Sequence, residues 1–184
     1  MKPASWSKYR KLLERGATEV HPELNIFAAR YAMAKALPEF SFNDFSSATS
    51  DGYYVALKLS LAYTAFESLE SAINENKRLK ILSKEIAIEL RNKSNASLLT
   101  SIVNHKNVDQ SLKRKLIGFI NQDDDDLRYF IYCVRNLMFH GSLTSNLLKL
   151  NQSKKRRKML RDLSELTLEV ADTRFTKYVS NIKL

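Results

Sequence analysis

The sequence predicts an all-α fold, a single-domain helical bundle of about seven helices, on three observations. Apolar residues recur at spacings of three and four along most of the chain, the signature of amphipathic helices. Among 184 residues there are 4 Gly and 3 Pro, far below ordinary usage of roughly 7% and 5%. That scarcity excludes Gly-rich phosphate loops, collagen-like repeats and turn-dense all-β folds. The length suits one domain with a sizeable core and leaves little room for a second.

Residues 1–50 read as an N-terminal extension of helix and loop. Its opening, MKPASWSKYRKLLERG, lacks the apolar run of a signal peptide. An Ala-rich helix is expected over about Glu23 to Leu37, stopping before Pro38 because proline disfavours helical backbone in the residue ahead of it. Pro38 to Gly52, with its Phe, Ser, Asn and Asp, reads as a loop. Ser50 or Asp51 then caps a long helix whose core stripe is Val55, Leu59, Ala62, Phe66, Leu69 and Ile73. Weaker periodicity predicts helices over about Lys77 to Asn92, Ala96 to His105 and Asp109 to Ile120, separated by short polar turns such as Asn92 to Asn95.

The acidic run Asp123 to Asp126 directly precedes LRYFIYCVRNLMFHG. Carboxylates there accept the free N–H groups of a helix start and complement its positive end; cation binding is the alternative. After Gly141 comes a polar linker, Ser142 to Ser153, and then a long C-terminal helix, Lys154 to Asn181 or over 154–182 at its widest, within a single domain expected to span 1–184. Its stripe is Leu160, Leu163, Thr167 and Val170.

Lys+Arg number 30 and Asp+Glu 20, a formal net charge of +10, which favours polyanionic partners. The single cysteine, Cys133, excludes an internal disulfide and fits a reducing compartment, so a cytoplasmic location is expected. No stretch approaches the ~20 apolar residues of a membrane span. Neither metal nor cofactor is expected: His21, His105 and His140 are scattered, with no HExxH and no cysteine pair. His21 and His105 read as ordinary surface residues.

On a helical wheel, Leu127, Phe130, Ile131, Val134, Leu137 and Met138 fall within roughly 120° and form a core face. Arg128, Tyr129, Tyr132, Arg135, Asn136, Phe139 and His140 cover the other side. Exposed aromatics beside Arg favour a contact surface for another subunit, a nucleic acid or both; cover by another helix of the same chain is the plain alternative. Gly141 reads as the residue just past the helix end. That places His140 in the last turn, where the dipole favours imidazolium. Asn136 lies one turn before His140, whereas Arg135 sits roughly 140° around the wheel.

The string Arg135-Asn136-Leu137-Met138-Phe139-His140 reads R-N-x-x-x-H. It resembles the signature of the HEPN superfamily (higher eukaryotes and prokaryotes nucleotide-binding domains), whose nuclease members are all-α bundles with an R-x(4–6)-H motif. The helix containing Ala62-Tyr63-Thr64-Ala65-Phe66-Glu67 is similar to an upstream HEPN helix. The resemblance implies a metal-independent endoribonuclease that works as a homodimer, leaves a 2′,3′-cyclic phosphate and a 5′-hydroxyl, and serves as a toxin or defence effector with a cognate antitoxin protein.

RNA cleavage without metal needs a base for the 2′-hydroxyl, an acid for the 5′-oxygen and positive charge on the phosphorane. His140 is the candidate for proton transfer, Arg135 for phosphate binding, and Asn136 for a hydrogen bond to the ring or the phosphate. One such histidine per chain is too few for acid and base together, and a two-fold axis would double it. Lys154, Lys155, Arg156, Arg157 and Lys158, with Arg161 beyond, form the densest positive run; with Tyr132 they are the candidate RNA contacts. Tyr129 is a candidate base-stacking or dimer-seam residue. Glu67 suits either an active-site role or a structural partnership with Arg135. From another class, the alternative is a non-catalytic helical module that binds RNA or protein through the same face.

Overall fold

A computed structural model describes residues 1–17, 21–73, 80–144 and 148–182, and the statements below concern those residues. They form eight α-helices and no strand, an all-α architecture: α1 (Trp6–Glu14), α2 (Pro22–Ala36), α3 (Ser47–Ile73), α4 (Lys84–Arg91), α5 (Lys93–Val103), α6 (Gln110–Ile120), α7 (Arg128–Phe139) and α8 (Lys154–Asn181). Contacts gather into two compact units. The first takes Met1–Leu37, Leu61–Leu79 and Ser164–Leu184, and the second takes Pro38–Ser60 and Lys80–Leu163.

In the first unit, α1 is the helix that periodicity did not anticipate. It is short and rich in Lys and Arg, and its stability comes from aromatic packing rather than from a long apolar stripe. Tyr9 is 1% exposed and meets the Phe175 ring edge-on at 5.8 Å. Trp6 and Phe27 stand 5.9 and 5.3 Å from the same ring. The chain ahead of α1 is held by the Ala4 N–H donating to Asp172 at 2.8 Å and the Ser5 hydroxyl donating to Thr176 at 3.0 Å. Helix α2 ends at Ala36, two residues before Pro38, as proline stereochemistry requires. Ala62, Phe66 and Leu69 of the α3 stripe are fully buried, and Ile73 partly so.

In the second unit, α3 begins at Ser47, three residues before the expected cap. The Ser46 hydroxyl accepts the Thr49 N–H at 3.2 Å, so the capping role falls to Ser46 and Asp51 lies inside the helix. The expected start at Lys77 lies outside the described residues; α4 begins at Lys84, with the Ser83 hydroxyl capping at Ile86. The turn expected over Asn92 to Asn95 is the first turn of α5, capped by Asn92. Asp109 caps α6, accepting from Leu112 at 2.9 Å. Helices α4, α5, α6 and α7 each pack on the next. The linker before α8 is anchored by buried Leu143, Leu148 and Leu150, leucines whose spacing fits no regular period.

Candidate functional site: the outer face and C-terminus of α7

Helix α7 is held at its start by the acidic run. Asp126 has no exposed surface; its Oδ1 accepts the N–H groups of Ile81 and Arg128, both at 3.1 Å, and its Oδ2 lies 3.2 Å from Arg128 Nη2. Asp124 Oδ1 accepts the Asp126 N–H at 3.1 Å and lies 3.3 Å from Lys80 Nζ, while Asp125 pairs with Arg91 at 2.7 Å. The run thus works as a helix cap and an ion-pair cluster. Arg128 differs from its expected outward position: it is 6% exposed, drawn inward by Asp126.

Phe130, Ile131, Val134 and Leu137 are fully buried, together with Leu127 ahead of the helix and Cys133. Burial pushes the Cys133 thiol up to about 12, and the charge of Asp109 acts in the same direction. Met138, expected on the core face, is only half-buried, and the outer positions form a partly open stripe: Tyr129, Tyr132, Arg135 and Asn136 are half-buried, Phe139 is 54% exposed and His140 is exposed. Tyr132 and Phe139 lie three residues before and four after Arg135, the two spacings that make helical neighbours. Its guanidinium carbon stands 5.8 Å from the Tyr132 ring and 5.4 Å from the Phe139 ring. Arg135 Nη1 also donates to Asn136 Oδ1 at 2.8 Å. These contacts set the long side chain along its own helix. Farther back, the Tyr129 ring is flanked by Lys115 Nζ at 5.2 Å and the Arg128 guanidinium at 5.3 Å.

The helix end matches expectation. Gly141 has φ +63°, its N–H donates to Met138 at 3.1 Å, and the Ser142 N–H donates to Leu137 at 2.9 Å. This pair of bonds is a Schellman ending, with His140 as the last residue before the left-handed glycine. The His140 N–H donates to the Asn136 carbonyl at 3.0 Å. Sequence reasoning missed a polar chain behind it. The Ser142 hydroxyl donates to the His140 carbonyl at 3.4 Å, Asn107 Nδ2 donates to that hydroxyl at 2.5 Å, and the Asn107 N–H donates to His105 Nδ1 at 3.2 Å. His105 therefore shares a hydrogen-bonded cluster with the end of the motif helix, across a sequence gap that no local pattern bridges.

The basic run divides into exposed lysines and arginines held by partners within the protein. Lys154, Lys155 and Lys158 are exposed, with Lys155 3.0 Å from Glu89 and Lys158 2.7 Å from Asp162. Arg156 is 7% exposed and spends its donors on Asn95, Leu148, Ser94 and Ser97. Arg157 donates to Asp51 at 2.7 Å and to the Leu150 carbonyl, and Arg161 also binds Asp51. Arg157 and Arg161, one turn apart on α8, converge on Asp51, so the three arginines are held by partners within the protein while the three lysines are exposed. Glu67 is half-buried within α3.

Among the described residues, no cluster of three or more His, Cys, Asp or Glu is placed to hold a metal ion, and no helix is long and apolar enough to cross a membrane. In comparisons with known proteins, the chain matches no family model, no curated protein and no solved structure.

Proposed function

We propose that this chain is a HEPN-type, metal-independent endoribonuclease acting as a homodimer in the cytoplasm, as a toxin or defence effector restrained by an antitoxin protein. One observation carries the reading. The R-N-x-x-x-H string lies on a single helix whose outer stripe carries Arg135, positioned by Tyr132, Phe139 and Asn136, and whose last turn presents an exposed His140.

In the proposed reaction, one His140 removes the proton of an RNA 2′-hydroxyl. The freed oxygen attacks the adjacent phosphorus, and the P–O5′ bond breaks as the partner copy's imidazolium protonates the departing oxygen. Arg135 carries the phosphorane charge and Asn136 orients the ring or the phosphate. Lys154, Lys155 and Lys158 hold the flanking backbone, and Tyr132 and Tyr129 offer stacking surfaces.

The test is incubation of the purified full chain with mixed RNA in EDTA, beside His140→Ala and Arg135→Ala. Wild type leaves cyclic phosphate and 5′-hydroxyl ends. Loss of general acid–base catalysis lowers the His140→Ala rate about 10²- to 10⁴-fold, and Arg135→Ala costs about 10²-fold or more. Equal cleavage by all three proteins removes the motif from the chemistry. RNA binding without cleavage by wild type replaces the enzyme with the non-catalytic binding module.

A further inference from the structure

The turn over residues 104–108, between α5 and α6, is bonded to the end of α7 through one hydroxyl. Ser142 Oγ donates to the His140 carbonyl at 3.4 Å and accepts from Asn107 Nδ2 at 2.5 Å. The backbone of the turn is fixed on both sides of His105. The His105 N–H donates to the Ile102 carbonyl and the Val108 N–H donates to the His105 carbonyl, both at 3.1 Å, and Val108 is buried. A side chain carried on such a turn binds a ligand without the cost of first ordering its own backbone.

The chemistry of the turn suits an anion. His105 is half-buried, and Asn107 and His140 are exposed. His105 Nδ1 accepts the Asn107 N–H at 3.2 Å, so the neutral ring carries its proton on Nε2. Among the described residues, no acceptor bonds that Nε2, which leaves the donor to solvent or a ligand. No carboxylate enters the chain of bonds from His105 to His140. Asp109, the acid closest to His105 in sequence, is engaged as the cap of α6, accepting the Leu112 N–H at 2.9 Å.

We propose that His105 is an RNA-binding residue of the α7 site, its Nε2–H donating to the phosphate next to the one that is cleaved. The ligand's identity rests on the endoribonuclease reading. A strand cleaved at His140 carries its neighbouring phosphate past the end of α7, and the turn is a polar wall bonded to that end. Phosphate contacts of this kind set the register of a strand, so His105 places the scissile bond against His140 without taking part in proton transfer.

The experiment measures binding of a short fluorescein-labelled single-stranded RNA to full-length His140→Ala, in which affinity is read without cleavage, beside the same protein carrying His105→Asn or His105→Gln. Asparagine sets an amide oxygen where Nδ1 stood, which keeps the acceptor for the Asn107 N–H and removes Nε2. Glutamine sets an amide N–H where Nε2 stood. His105→Asn is expected to weaken RNA affinity about tenfold, the lower end for a hydrogen bond to a charged group, while His105→Gln stays close to the parent. In the protein with His140 intact, His105→Asn raises KM more than it lowers kcat, the mark of a contact made in ground and transition states alike. Parental RNA affinity in His105→Asn overturns the contact, and so does an equal loss in both variants, which assigns the effect to the fold of the turn. If cleavage requires His140 while His105→Asn binds RNA as the parent does, this contact falls and the endoribonuclease reading stands. Absence of RNA binding by His140→Ala overturns the contact as well.

Discussion

Cys133 and Tyr31 show how burial, reinforced by nearby carboxylates, sets the behaviour of single residues. Desolvation first, then the charge of Asp109 on the thiol and the charges of Asp172 and Glu165 on the phenol, raise the thiol from 9.0 to about 12 and the phenol from 10.0 to about 12, because a low-dielectric interior and nearby anions both disfavour the charged form. Below about pH 8 both groups are protonated in folded and unfolded chains and contribute no pH dependence. Between pH 9 and 12 the unfolded chain loses these protons while the folded chain keeps them, so stability falls as pH rises through that window. Urea midpoints between pH 8 and 11 are expected to fall on the alkaline side, less steeply in Cys133→Ala and in Tyr31→Phe. A pH-independent midpoint over that range would remove the assignment. The identity of Cys133 as the only cysteine was visible in the sequence; its inertness was not, because α7 buries more of its circumference than its apolar residues indicate.

At the scale of the element, α7 is built from its two ends. Its C-terminus was legible, since only a residue tolerant of positive φ closes a Schellman ending without strain, and Gly141 follows His140 directly. Its N-terminus was partly legible. Four aspartates announce a cap, but only Asp126 enters the interior and serves Ile81, Arg128 and the Arg128 guanidinium together. Removing it takes the carboxylate from beside the buried Arg128 guanidinium and the acceptor from the Ile81 and Arg128 N–H groups. Asp126→Ala is therefore expected to cost about 3 kcal/mol or more, read from urea unfolding, with faster amide exchange at Ile81. A loss below about 1 kcal/mol would show that solvent replaces the carboxylate.

For the whole molecule, the net charge of +10 overstates what is available to a polyanion. Of the run at the start of α8, only Lys154, Lys155 and Lys158 are exposed. Three phosphate contacts on a single strand predict a slope of about −2 in log affinity against log salt, and each Lys→Gln lowers its magnitude by about 0.7. Filter binding of RNA to His140→Ala across a salt series measures both. A flat series would retire the lysines as RNA contacts. Arg157→Gln, by contrast, is expected to act on stability, since its guanidinium is committed to Asp51 and the Leu150 carbonyl.

The helical class, the long α3 and α8, the α2 stop before Pro38 and the close of α7 at Gly141 were all determined by sequence. They depend on periodicity, capping chemistry and backbone sterics, which act over a few residues. Tertiary structure alone decided that α1 forms against Phe175, that Arg156 and Arg157 face inward while their lysine neighbours do not, and that His105 joins the His140 cluster through Asn107 and Ser142. Each of these depends on partners far apart along the chain, and composition and spacing carry no record of which distant residues meet.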